Sequence, residues 1–165
     1  MGLFKFKKWK ATALLLAWMS SPVVMEQATS KAIENLQAAF KRAMAIRPKV
    51  GGFPVLAEVL RQAGVRRNIW NLPSAESLYI TDQGSVVNLG TPLATSFVDI
   101  PTFDREALIR ALRVDQAGKS TFPEFLMASW KAGVVRYDVD FEARIVTYLG
   151  CRGESYVEEY SEVKL

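Results

Sequence analysis

The chain repeats itself at an offset of 69 residues without a gap. Phe53-Pro54, Ala63-Gly64-Val65, Arg67 and Tyr79 are answered by Phe122-Pro123, Ala132-Gly133-Val134, Arg136 and Tyr148. Matched spacing of this kind means two copies of one structural unit, so whatever the first copy folds into, the second must also form. It constrains architecture strongly and names no reaction.

Each copy opens its central helix with proline at a position whose N–H a helix does not use, Pro54 in one and Pro123 in the other. Thr121-Phe122-Pro123-Glu124 reads as a capping box, which starts the second of these helices at about residue 122. Ala-Gly-Val ends both helices, because Gly64 and Gly133 can adopt the left-handed conformation that stops a helix. A strand then follows. In the second copy Val135, Tyr137, Val139 and Phe141 alternate with Arg136, Asp138 and Asp140, the period-two pattern of a half-buried strand. Residues 144–149 and 155–160 complete a three-strand meander. The first copy predicts strands over 65–72, 77–81 and 85–89, with Asp82-Gln83-Gly84 as the hairpin loop.

A further helix precedes each unit. Ile33, Leu36, Phe40 and Met44 form one stripe over 31–47, stopped at Pro48. Residues 103–117 match it, with Thr102 as the cap and Gly118 as the terminator. The order helix, helix, strands, repeated, predicts an α+β two-layer domain: an antiparallel sheet with helices on one face and a pseudo-twofold axis between units at about 30–95 and 100–163. One domain, residues 25–165, is expected from the length.

Residues 1–24 form a separate leader. They carry Lys5, Lys7, Lys8 and Lys10 and no acid, so the formal charge of +4 belongs to them, and the remainder holds 17 basic and 17 acidic residues. A neutral domain gives weak footing for nucleic-acid binding, with Arg61, Arg66 and Arg67 the best local patch and a solvated surface the plainer reading. The leader fits three readings: an export signal, a surface-lying membrane anchor, or an extension upstream of a natural start at Met25. The last makes the protein cytoplasmic; the others make it exported or membrane-associated through the leader.

Catalytic constellations are scarce. The chain has no histidine, which removes imidazole bases and Ser-His or Cys-His sites, and Cys151 alone makes neither an internal disulfide nor an ordinary zinc site. Gly118-Lys119-Ser120-Thr121 lacks the upstream glycine of a phosphate-binding loop, since Arg113 stands there. Asp138 and Asp140 share one strand face, and Glu158-Glu159 straddle another; two acids at that spacing can hold a metal or share a proton, although the wet face of a sheet is the commoner use. No catalytic residue, metal site or cofactor is therefore expected.

The run Gly118 to Phe125, followed by Ala132-Gly133-Val134-Val135-Arg136-Tyr137 and by Tyr156-Val157-Glu158-Glu159, resembles the YdfO-like family of small bacterial and prophage proteins, sometimes labelled phage envelope protein. The resemblance covers about residues 35–163. It implies a two-layer α+β fold and a phage or mobile-element association, and it carries over no catalytic residues. The family pattern starts near the first helix, which favours Met25 as the start here.

Two functions follow as expectations. One is an accessory or binding module in which the seam between repeats, or an exposed sheet edge, holds a small ligand, a protein partner or a second copy of the chain. Trp70, Tyr79, Tyr137 and Tyr148 are its candidate contacts. The alternative is an anion-binding or hydrolytic enzyme in the groove between repeats, with Arg67 and Arg136 as the clamp and Asp138 and Asp140 as the acids.

Overall fold

The computed structural model describes residues 30–165; the leader and Met25 lie outside the described residues. Four helices and a six-stranded antiparallel sheet make an α+β domain. The order is α1 (Lys31–Ile46), α2 (Phe53–Gln62), β1 (Val65–Asn71), β2 (Glu76–Thr81), β3 (Gly84–Leu89), α3 (Arg105–Gln116), α4 (Phe122–Lys131), β4 (Arg136–Asp140), β5 (Ile145–Leu149) and β6 (Ser155–Glu159).

Local chemistry explains the helix ends. Ser30 Oγ accepts from Ile33 N at 3.3 Å to start α1, and Arg47 turns extended because Pro48 follows it. At α4, Glu124 accepts from both the Thr121 N–H (2.7 Å) and the Thr121 hydroxyl (2.8 Å). Beyond that helix, Gly133 N donates to Trp130 O and Val134 N to Ser129 O, with Gly133 at φ +81°, a Schellman ending. One cap differs from expectation. Asp104 rather than Thr102 caps α3, its Oδ1 accepting from Ala107 N at 2.9 Å. A carboxylate there also meets the positive end of the helix dipole, which a threonine hydroxyl cannot exploit.

Strand order in the sheet is β3-β2-β1-β4-β5-β6, so the two copies meet along β1 and β4. The register carries the 69-residue offset: Arg67↔Ile80 and Asn71↔Glu76 on β1–β2 become Arg136↔Leu149 and Asp140↔Ile145 on β4–β5. At the seam, Arg67↔Asp140 exchanges with Asn71↔Arg136 and Ile69↔Asp138 maps onto itself. That pairing is what a local twofold axis passing between Ile69 and Asp138 requires. Even the strained turn residues correspond, since Ala75 and Arg144, the two non-glycine residues with positive φ among those described, lie at the same offset. Symmetry slips at the outer hairpin, where Tyr79↔Val86 is matched by Tyr148↔Tyr156, one residue further on.

All four helices contribute buried side chains to one core against a single sheet face, including Leu36, Val59, Leu60, Leu108, Leu112, Leu126 and Trp130 above Trp70, Tyr79, Tyr137, Val139, Val146 and Tyr148. Among the described residues, the other face carries no helix. Its central row, in register, is Val87, Leu78, Ile69, Asp138, Thr147 and Val157.

Candidate functional site

Period two and antiparallel register together build a floor of aromatic rings on the helix side of the sheet. Trp70, Tyr137, Tyr148 and Tyr156 lie opposite one another on β1, β4, β5 and β6. Successive ring centroids are 6.1, 5.7 and 6.3 Å apart, within the range in which aromatic pairs attract beyond simple burial. Arg105 closes the row with its guanidinium 5.3 Å from the Tyr156 ring. Beside it, Tyr79 and Asn68 pair across β2 and β1, and Phe40 of α1 meets Tyr79 edge-on at 5.6 Å.

The helices stand away from this floor near the pseudo-twofold axis. A cleft of about 1290 Å³ lies between, walled by Leu36 and Phe40 of α1, Leu60 of α2, Leu112 of α3, and Phe122 and Phe125 of α4. Phe122 packs edge-on over Trp70 at 5.2 Å. Its roof is the meeting of the two interhelix loops: Gly51 N donates to Gln116 O at 3.0 Å, and a Cβ on Gly118 would lie 3.0 Å from Lys49 O. Gly118 has φ +66°, so a side chain there would be strained as well as crowded.

Polar groups converge on the rim. Ser120 donates to Asp115 Oδ1 at 2.9 Å, while Glu158 accepts from Gln116 Nε2 at 3.1 Å and pairs with Arg113 at 3.5 Å. Arg47 and Lys49 also line the cleft. Inside, burial raises the pKa of Tyr79, Tyr137 and Tyr148 above the ordinary phenol value, for Tyr137 well above it. These phenols stay neutral near neutral pH. The cleft therefore offers aromatic surface and uncharged hydroxyls inside, with Arg47, Lys49, Arg113, Asp115, Glu158 and Glu159 as the charged residues of its lining. Among the described residues no group of three or more His, Cys, Asp or Glu side chains could hold a metal ion.

The six candidate residues divide between the two faces of the sheet. Trp70, Tyr79, Tyr137 and Tyr148 line the cleft. Arg67 and Arg136 lie on the helix-free face, where their guanidiniums reach one oxygen, Asp138 Oδ2, at 3.7 and 3.0 Å. Asp138 faces Ile69 across the pseudo-twofold axis, two residues along β4 from Arg136 and diagonal to Arg67 on β1, so both related arginines reach it. Asp140 holds the β4–β5 turn, accepting from Glu142 N at 3.1 Å and Ala143 N at 2.9 Å. So the arginines and acids weighed for a groove between repeats lie outside it, tied to one another and to a turn.

The basic patch is likewise neutralised: Arg61 makes a two-pronged bond to Glu58, with both contacts at 2.9 Å, and Arg66 pairs with Asp82 and Glu142. Cys151 is exposed in its turn. Sequence reasoning missed Phe40, Phe122, Arg47 and Lys49 as cleft residues. One of them had a signal: Phe122 is the offset partner of Phe53.

Three relatives align with this chain at 53% identity over 135 residues, covering 82% of this chain and 82% of each relative. One is an uncharacterized protein of Mycobacterium bovis and two are uncharacterized proteins of Mycobacterium tuberculosis. Residues 41–159, which run from within α1 to the end of β6 and include the whole cleft floor, match a family model described as a protein of unknown function, DUF1398. With most of the fold inside that match, the chain belongs to the DUF1398 family.

Proposed function

We propose that this domain is a non-catalytic binding module that holds a small molecule in the cleft between its helix layer and its sheet. One observation carries the reading: at the seam between the repeats, Trp70, Tyr79, Tyr137 and Tyr148 gather around a cleft of about 1290 Å³. Binding sites are typically concave, largely apolar and furnished with a few convergent polar groups, with volumes of roughly 300–1,000 Å³. This cleft exceeds that range modestly and has the same composition. An origin by internal duplication fits such a site, because it places related aromatic residues on both sides of one axis.

A phage or mobile-element association, carried by the YdfO-like resemblance, belongs to the same proposal, as does a cytoplasmic location for a chain that starts at Met25. Intact-mass analysis of soluble and membrane fractions tests the latter. A soluble species beginning at Met25 supports it; a full-length species in the membrane fraction opposes it.

The binding reading is tested by native mass spectrometry on protein purified from its own host, compared with Ser120→Trp. Ser120 is only partly buried at the cleft mouth, so an indole there obstructs entry while the core stays intact. The expected result is a small-molecule adduct on the native protein that is lost on denaturation and reduced in the variant. An adduct retained undiminished by a folded S120W protein would count against the cleft.

A further inference from the structure

We propose that this chain associates with a second copy of itself by a reciprocal contact: the apolar tip of the linker between the repeats, Phe97 to Ile100, enters a hollow at the end of the other copy's sheet. The hollow shares no lining residue with the cleft, so the contact does not depend on what the cleft binds.

The linker runs from β3 to α3 with both ends fixed. Leu93 N and Ala94 N donate to Pro73 O at 3.0 and 3.1 Å, and Asp104 N donates to Ala132 O at 2.9 Å. Between those anchors Phe97 is fully exposed, and Val98 and Ile100 are about half exposed. A bare phenyl ring beside two half-bare aliphatic side chains is a patch rather than a scattered residue, and such patches mark interaction surfaces.

The hollow, of about 440 Å³, opens beside the same anchors. Arg136 and Leu149, paired across β4 and β5 at the end of the helix-free face, line it together with Pro73, Ser74, Val135 and Gly150. Pro73 holds the first linker anchor, and Phe103 at the second lies against Gly150, with its ring 3.0 Å from where a Gly150 Cβ would stand. The linker therefore frames the hollow without filling it, since none of residues 90–104 lines it.

A tip and a hollow on one surface make it self-complementary. Across a twofold axis each copy gives its tip and receives the other's, whereas an unrelated partner would use only one of the two. The charges match as well. Asp99 is the one charged residue of 90–101, and Arg136 is the one charged residue lining the hollow. Asp138, Glu76 and Glu154 stand nearby without lining it, and each accepts a bond within its own copy. Arg136 spends one nitrogen on Asp138 Oδ2 at 3.0 Å and stays about half exposed. A guanidinium carries five N–H donors, so Arg136 can take Asp99 of the second copy as well. The same Asp99, set between Val98 and Ile100, opposes burial of this tip in lipid, where a carboxylate is costly.

Sedimentation velocity of the full chain across the micromolar range tests this, because a contact this small gives a weak dimer. The expected result is a concentration-dependent dimer whose dissociation constant rises at least about thirtyfold in Phe97→Asp and in Ser74→Trp, as loss of a central aromatic anchor does. Both positions are exposed, so neither substitution reaches the core, and circular dichroism checks the fold. Asp99→Arg and Arg136→Asp should each weaken the dimer, and combining them should recover most of the loss, which a damaged fold cannot do; no recovery would overturn the Asp99–Arg136 pairing. A chain that is monomeric at every concentration, or association unchanged by Phe97→Asp and Ser74→Trp, would overturn the contact itself. So would Phe97-dependent sedimentation with phosphatidylcholine vesicles in place of self-association.

Discussion

Gly133 is where the fold is least able to accept a methyl group. It has φ +81°, and a Cβ built there lies 2.6 Å from Phe103 Cα, Phe103 N and Thr102 C, all backbone atoms. Neither neighbour can rotate away, because Asp104 N is anchored to Ala132 O at 2.9 Å. Two glycines supply the controls. Gly153 has φ +91° with nothing within 4 Å of a Cβ, and Gly64, the repeat counterpart of Gly133, has φ +83° with Asp82 Oδ2 at 2.9 Å.

Alanine at Gly153 should cost only the conformational strain, about 1–2 kcal/mol. At Gly64 it should cost slightly more, because the exposed Asp82 carboxylate can swing aside at the expense of a surface ion pair with Arg66, a weak interaction in solvent. At Gly133 the strain adds to an overpacking cost of about 1–3 kcal/mol, for a total of about 2–5 kcal/mol. Urea denaturation of the three variants beside the parent measures these differences, provided the m-value is unchanged. Gly133→Ala falling within about 0.5 kcal/mol of Gly153→Ala would refute the packed crossing of residues 102–103 over the end of α4.

Two further outcomes concern pH. The hydrogen bond from Arg61, aided by one from Gln62 and opposed by burial, lowers the Glu58 pKa from 4.5 to about 2. A depressed folded pKa means stability that is fully present above the unfolded value and lost as pH falls from about 4.5 towards 2. Denaturation across that window should show a loss of about 2 kcal/mol that Glu58→Gln removes from the pH profile, and an identical profile in the variant would contradict the assignment. On the alkaline side, burial raises Tyr79, Tyr137, Tyr148 and Tyr160, the last to about 12. Their protonated form is favoured by folding, so the stability they contribute is present below the unfolded value of about 10 and is lost as pH rises through the raised values. Ultraviolet titration should find these four phenols ionising late, in step with unfolding; four ordinary titrations near pH 10 in a folded protein would contradict their burial.

Much of the fold was legible because local signals agreed. Pro54 and Pro123 fix helix starts, Gly64 and Gly133 fix helix ends, and alternation from Val135 to Phe141 fixes a strand face. Thr102 misled because Asp104 stands two residues later with a stronger capping group, and both satisfy a cap pattern in sequence. The site was legible by half. Aromatic residues on alternating positions point to one sheet face, but the cleft above them depends on how far two helix pairs stand apart, a distance set by contacts such as Phe122 on Trp70 that local sequence does not encode.

Arg136 and Tyr137 are neighbours in a strand and must face opposite sides of the sheet, so a site containing both side chains contradicts the pleat. The same parity separates Arg67 from Asn68 and Trp70. The register adds what parity cannot: Arg67 and Arg136 end beside a single carboxylate because Asp138 lies diagonal to one across the seam and two residues from the other along β4.

Aromatic carbon–proton NMR spectra recorded during titration with a neutral apolar probe, hexan-1-ol, test the cleft most directly. The expected shift changes concentrate on the rings of Trp70, Tyr137, Tyr148 and Phe122, with the methyl groups of Leu78, Ile69 and Val157 on the helix-free face unmoved. Changes centred on those methyl groups, with the cleft rings silent, would place the binding surface on the other side of the sheet and contradict it.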